Sequence, residues 1–205
     1  FIYAAEILGE ISDYYIQFPY WDTMLHTMNG FLCAAIGFAL VDILNREEKV
    51  SLHLSPFFMA VTAFCFSMTI GVLWEFFEFA MDQWLLFDMQ KDTIIHTIST
   101  VNLDPSHGTA AVVVKGIQDV VLVLEDGTQM PLGLGGYLDV GIIDTMKDLF
   151  VNFIGAVVFS TIGYFYVQGR GKGNFVTRFI PRLQRRPSAQ PAATRESGSE
   201  PEKPE

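Results

Sequence analysis

PFFMAVTAFCFSMTIGVLWEFFEFAMDQWL, residues 56–85, decides the fold. It carries no charge from Pro56 until Glu75. A hydrocarbon core of about 30 Å is crossed by roughly 20 helical residues rising about 1.5 Å each. A stretch of this length and composition reads as a transmembrane helix. Two more stretches reach spanning length: Thr23–Leu44, with only His26 and Asp42 ionisable, and Leu149–Gln168, with no charge. Half of the 205 residues are hydrophobic, 18 of them Phe, and the mean hydropathy is positive. Long uncharged runs between polar segments define a membrane protein rather than a soluble domain.

Residues 1–18 are apolar but interrupted by Glu6, Glu10 and Asp13. A signal peptide would open on basic residues and keep acids out of its apolar stretch. These residues therefore read as a partial first span, the tail of a longer helix with further spans upstream. Cys33 and Cys65 both fall in apolar runs and read as small buried hydrophobes rather than a disulfide or a metal pair.

Lys and Arg set the orientation. Arg46 and Lys49 lie between the first two full spans, and Arg170, Lys172, Arg178, Arg182, Arg185 and Arg186 follow the last. The 86–144 segment has only Lys91 and Lys115, and residues 1–21 have none. The positive-inside rule then makes the 45–55 loop and the C-terminus cytoplasmic and puts 86–144 outside. The net charge of −10 supplies no basic face and excludes nucleic acid as a partner.

The segment between the second and third full spans is too polar for lipid and too long for a simple loop. It holds β-branched runs at 93–101, 110–114 and 120–124, and Glu125-Asp126-Gly127 is a hairpin turn signal followed by TQMPLG as a partner strand. A small extracytoplasmic β-insertion is expected at about 94–135. Residues 187–205 are rich in Pro, Ser, Ala and Glu and lack aromatics, which reads as a disordered tail. The expected fold is mostly α: a polytopic transmembrane helix bundle with this insertion and tail. Its parts are a partial span at 1–18, spans at about 23–44 and 56–85, an extracytoplasmic segment at 86–143, a span at 144–169, and a cytoplasmic basic segment and tail at 170–205.

The polar residues gather at one end of the spans. Glu75, Glu78 and Asp82 are spaced by three and four, on one helix face. Carboxylates are costly in lipid, so they should face the bundle interior. The plainer reading is that the helix leaves the membrane at Glu75; the apolar residues that continue to Leu85 weigh against it. Asp144, Asp148 and Asn152 open the last span four apart, again on one face. Asp144 suits an N-cap, but Asp148 and Asn152 lie deeper than a cap reaches. Asn152 can instead bond between helices, with Gly155 and Ala156 allowing close approach. Asp22 and His26 open the first full span, also four apart, with Asn29 and Gly30 following. Asp22 also suits an N-cap, and a lone His in a membrane is more often a packed residue than a ligand. WDTMLHTMNGF (21–31) parallels IDTMKDLFVNF (143–153), either a weak internal repeat or a shared use of Asp-Thr as a cap.

The strings WDTMLHTMNGF, LWEFFEFAMDQ and DTMKDLFVNFIGAVV resemble the YjdF-like family of bacterial inner-membrane proteins, whose function is unassigned; the likeness covers about residues 1–170. More distantly the chain is similar to VanZ-like membrane proteins. That resemblance implies a shared set of His26, Glu75 or Glu78, Asp148, Asn152 and Gly155, a bacterial plasma-membrane location, and a link to glycopeptide resistance. The β-insertion departs from the VanZ-like pattern and puts a shared substrate in doubt.

Three functions fit these residues. The candidate site comprises Asp22, His26, Glu75, Glu78, Asp82, Asp144, Asp148 and Asn152, with His26, Glu75, Glu78 and Asp148 as candidate metal ligands. The first function is an outer-leaflet site for a divalent cation or for a lipid or cell-wall precursor. Clustered oxygens suit magnesium or calcium, and His with carboxylate suits zinc or manganese. The second is a transporter or proton pathway, and the third a structural scaffold. No His-Glu-x-x-His, nucleophile elbow or phosphate loop is present, so the sequence leaves catalysis open.

Overall fold

A computed structural model describes residues 3–46 and 54–169 of the chain, without the side chains of residues 4–6, 10 and 46. The Glu6, Glu10 and Arg46 side chains, the basic loop residue Lys49, and the tail from Arg170 onward lie outside that description.

Three helices among the described residues are long and apolar enough to cross a membrane. They are α2 (Trp21–Arg46), α3 (Pro56–Leu85) and α4 (Ile142–Gln168). A π-helical segment, Tyr3–Ile11, precedes them. It is followed by Asp13 in the left-handed region (φ 57°) and by a single-turn helix α1 (Tyr14–Gln17).

The ends of the spans are set locally. Ser55 caps α3 by accepting the Phe58 N–H at 3.2 Å, and Pro56 occupies the first turn, where its missing N–H costs nothing. The chain leaves α3 through Leu86 at φ 55°. The Asp82 carboxylate then accepts the Met89 and Gln90 N–H groups at 2.7 and 2.9 Å, which folds the exit segment back against the helix. At the start of α4 the capping carboxylate is Asp139. It accepts the Thr93 N–H at 2.7 Å, the Ile143 N–H at 2.9 Å and the Gly141 N–H at 3.2 Å. Gly141, at φ 78°, supplies the turn into the helix.

Between α3 and α4 lie short antiparallel strands outside the helical core. They are β1 (Ile94–Ile95), β2 (Thr97–Thr100), β3 (Val112–Lys115), β4 (Val121–Val123), β5 (Gln129–Pro131) and β6 (Tyr137–Leu138). They pair as three ribbons, β1 with β6, β2 with β3 and β4 with β5. The last is the hairpin expected at Glu125-Asp126-Gly127. Val121 faces Pro131 and Val123 faces Gln129, with Gly127 at φ 82° in the turn. Two-stranded ribbons bury little, so this insertion contributes no large core of its own.

The helices pack as a three-helix unit, with α2 most extensively against α4. α2 and α4 begin at the same end and run parallel; α3 packs against both in the opposite sense. Glycines set the close approaches. A Cβ on Gly30 would lie 2.1 Å from the Asn152 carbonyl oxygen, and one on Gly155 would lie 2.2 Å from the Thr27 carbonyl oxygen. Such contacts let backbones meet where lipid gives no hydrophobic drive. The half of the bundle away from the insertion is sealed by Ala34, Phe38, Met59, Ala63, Ala156 and Phe159, all fully buried. Phe159 packs edge-on against Phe31 and Phe38. Cys33 is half-buried, but Cys65 faces outward, so only one of the two follows the expected burial.

Candidate functional site

The shared pattern of α2 and α4 has a direct structural consequence. Because the two helices are parallel and in register, matching positions meet each other. Asp22 and Asp144 both face Lys147 Nζ, at 3.9 and 3.4 Å. One turn deeper, His26 meets Asp148. Two turns deeper, Gly30 meets Asn152.

His26 is the centre of the cluster. Its Nε2 lies 3.5 Å from Asp22 Oδ1 and 3.8 Å from Asp148 Oδ2, and its Nδ1 lies 3.9 Å from Glu75 Oε1. One nitrogen thus faces two carboxylates and the other faces a third. His26, Glu75, Glu78, Asp148 and Asn152 are all buried, Asp148 and Asn152 nearly completely (2% and 1% exposed). The Asp22 side chain is 30% exposed and forms the open side.

One ligand atom each from Asp22, His26 and Asp148 lies within 4.8 Å of the others, a set able to coordinate a metal ion. Two donors held about 2.1 Å from one ion at a tetrahedral angle lie about 3.4 Å apart. The His26–Asp22 and His26–Asp148 separations are close to that value and too long for direct hydrogen bonds. Two buried carboxylate oxygens at the cluster, Glu75 Oε2 and Asp148 Oδ1, have no hydrogen-bond partner. A buried carboxylate left in this state is expensive unless a cation or donor meets it.

Below the cluster, Asn152 Nδ2 points at Met68 Sδ (3.6 Å) while its Oδ1 is unpartnered. The Ser67 hydroxyl donates to the Gly30 carbonyl at 2.7 Å. Polar groups therefore thin out toward mid-bundle, where the fully buried Phe38 and Phe159 share their layer with the buried, unpartnered Ser160 hydroxyl.

The other acids do different work. Glu78 is buried one turn nearer the insertion than Glu75 and accepts from Trp74 Nε1 at 2.8 Å. Asp82 is occupied by the Met89 and Gln90 amides. Asp144 sits in the first turn of α4, past the cap, and accepts the Lys91 N–H at 2.9 Å. Asp22 is likewise inside its helix, as the second residue of α2. Lys91 Nζ also donates to the Asp88 carbonyl, and Gln90 Nε2 donates to Thr145 Oγ1 at 2.6 Å. Sequence reasoning did not single out Asp139 as a cap or Lys147 as the cation of the site. The i+3 spacing of Lys147 from Asp144 was the available signal for the latter.

Three membrane-length helices closing around a His–carboxylate cluster define a multi-pass α-helical membrane protein with a buried polar site able to take a metal ion. Residues 1–169 match the family model "Predicted membrane protein (DUF2238)", and the chain belongs to that family. No match was found among curated proteins or among solved structures.

Proposed function

We propose that this protein binds a divalent cation at the outer-leaflet end of its helix bundle, through Asp22, His26 and Asp148, and presents it to a polar cell-envelope ligand. The observation that carries the reading is His26 with its two ring nitrogens divided between functions. Nε2 faces two candidate ligands while Nδ1 faces Glu75. A metal-bound His donates its other N–H to a carboxylate, which fixes the tautomer and raises ligand basicity. Glu75, 3.9 Å from Nδ1, is placed to become that orienting carboxylate when the ring seats on a cation, and Glu78 adds negative charge one turn away. One nitrogen and two carboxylates suit zinc or manganese, and they leave coordination positions open toward Asp22 for an incoming oxygen. A cation so held can carry or polarise a phosphate.

The membrane is the bacterial plasma membrane, with the β-insertion outside. The Lys/Arg distribution and the likeness to YjdF-like and VanZ-like proteins support this placement. The VanZ-like resemblance implies a shared set of His26, Glu75 or Glu78, Asp148, Asn152 and Gly155. A transport pathway is the weaker reading, because the polar column thins out at the depth of the fully buried Phe38 and Phe159.

The test is metal content of protein purified with zinc or manganese, comparing wild type with His26→Gln, Asp148→Asn and Glu78→Gln. Near-stoichiometric metal in wild type, lost in the first two and reduced less in the third, is the expected result. Equal and negligible metal in all four removes the cation reading.

A further inference from the structure

The seam between α2 and α4 carries a groove that starts one residue past His26. Its volume is about 420 Å³, and its walls are Thr27, Met28, Phe31 and Leu32 on α2 with Ile154 and Val158 on α4. Met28, Leu32, Ile154 and Val158 are exposed, so within these spans they open toward lipid. The Thr27 hydroxyl is bonded to the Thr23 carbonyl at 2.7 Å, which leaves the groove chemically apolar.

A charged group stands over this groove. Lys147 precedes Ile154 by seven residues and Val158 by eleven, spacings that return to the same helix face. Its side chain is 45% exposed, and its amine bridges Asp22 and Asp144 at the membrane end of the seam. Ile154 lies about 10 Å further along the axis, at about 1.5 Å per residue. From the insertion inward, the seam therefore presents an ammonium, the His–carboxylate cluster, and then an apolar channel open to the bilayer.

We propose that the seam holds one phosphate-bearing lipid. Its acyl chain lies along the groove, and its phosphate oxygens sit between Lys147 and the cation on Asp22, His26 and Asp148. The proposal rests on the cation reading above. Without a cation, Asp22, Asp144, Asp148, Glu75 and Glu78 outnumber Lys147 and repel an anion. With one, the open coordination positions favour a hard anionic oxygen. The groove distinguishes a lipid phosphate from free phosphate, because only the lipid fills it.

The test uses the full chain in detergent, metal-loaded with zinc or manganese, and isothermal titration with dioctanoyl phosphatidate, glycerol 3-phosphate and dioctanoylglycerol. Phosphatidate should bind at least tenfold more tightly than either of the others, and chelation should abolish its binding. Met28→Trp and Val158→Trp fill the groove from opposite walls. Each should lower phosphatidate affinity to that of glycerol 3-phosphate while metal content stays at the wild-type level. Lys147→Met should weaken both phosphate compounds. Equal affinity for phosphatidate and glycerol 3-phosphate would make this a free-phosphate site, and equal affinity for phosphatidate and dioctanoylglycerol would reduce it to apolar adhesion. Either result overturns the proposal, as does phosphatidate binding that survives chelation. Metal-loaded protein without lipid preference defeats this inference alone; wild type that takes up no metal defeats the cation reading and this one together.

Discussion

Adding one methyl group at Gly155 should disable the cluster from two turns away. A Cβ there would lie 2.2 Å from the Thr27 carbonyl oxygen and 2.8 Å from the Phe31 nitrogen, both backbone atoms that cannot rotate aside. Ordinary contact begins near 3.4 Å, so the seam must open by 3.4 − 2.2 = 1.2 Å. Thr27 adjoins His26, so α2 carries that shift straight into the site. Where that shift is directed along the His26–Asp148 line, their separation grows from 3.8 Å to as much as 3.8 + 1.2 = 5.0 Å. Two donors sharing an ion at about 2.1 Å cannot stand more than about 4.2 Å apart, even on opposite sides of it. Gly155→Ala should therefore weaken metal binding, by about 10–100-fold on the scale of lost ligand positioning, and overpacking should cost about 1–3 kcal/mol of stability. Gly163→Ala is the control: its Cβ would press on Phe38 at 2.7 Å, a side chain that can turn, well below the cluster. Titration calorimetry with zinc and thermal unfolding in detergent read both effects. A Gly155→Ala protein that binds metal as wild type does would refute the claim that helix spacing sets the site.

Glu75→Gln should lower metal affinity by about 10–100-fold with little change in melting temperature, the usual cost of losing an orienting carboxylate, measured by metal titration. Asp82→Ala should leave metal content unchanged but speed hydrogen exchange at the Met89 and Gln90 amides, with about 1.5–3 kcal/mol lost per charge-assisted bond. Burial works to raise the Asp139 carboxyl's pKa, but hydrogen bonds from the Thr93, Ile143 and Gly141 amides outweigh it and hold the value below the ordinary 3.8. A depressed carboxyl stabilises the fold above its unfolded pKa, and that contribution disappears as pH falls through the folded value. The melting-temperature gap between wild type and Asp139→Asn should thus be widest above about pH 5 and narrow as pH falls through the depressed folded value. Metal at 100 times its Kd should stabilise the wild type by about 2.7 kcal/mol and leave Asp148→Asn unmoved, as read by thermal shift with and without chelator.

The spans and the hairpin were legible because each rests on local chemistry. Residues 56–74 carry no charge, and Asp126-Gly127 between β-branched runs forces a turn. The meeting of His26, Glu75 and Asp148 was legible only as a shared depth. Hydropathy and charge bias place residues along the membrane normal, but they do not say which faces of three helices meet. The α2/α4 likeness held more than its use as a repeat suggested: in parallel helices, matching positions become neighbours. The division among the acids was not legible. Asp82 and Asp148 carry the same carboxylate at the end of an apolar helix, yet one is bonded to two backbone amides and the other has an oxygen without a partner. That difference depends on where the chain goes after α3, through Leu86 in the left-handed region, which no spacing rule for Asp82 contains.

Magnitudes weigh against a scaffold role for this cluster. Interhelical polar contacts in membranes are worth about 0.6–2 kcal/mol each. Burying a carboxylate costs several kcal/mol before pairing is counted. His26 is offered to three carboxylates at 3.5–3.9 Å, separations at which none makes a good hydrogen bond. The bundle already has a stronger means of holding α2 to α4, the glycine contacts at Gly30 and Gly155 with the Phe31–Phe159 packing below them. Glue is therefore least needed where the acids are densest. Against a pathway, the polar groups shrink inward from carboxylates to an amide to single hydroxyls at Ser67 and Ser160, at the depth of the fully buried Phe38 and Phe159. A buried His–carboxylate cluster with two unpartnered carboxylate oxygens, Glu75 Oε2 and Asp148 Oδ1, and one partly exposed member, Asp22, has the donor set that a cation would satisfy.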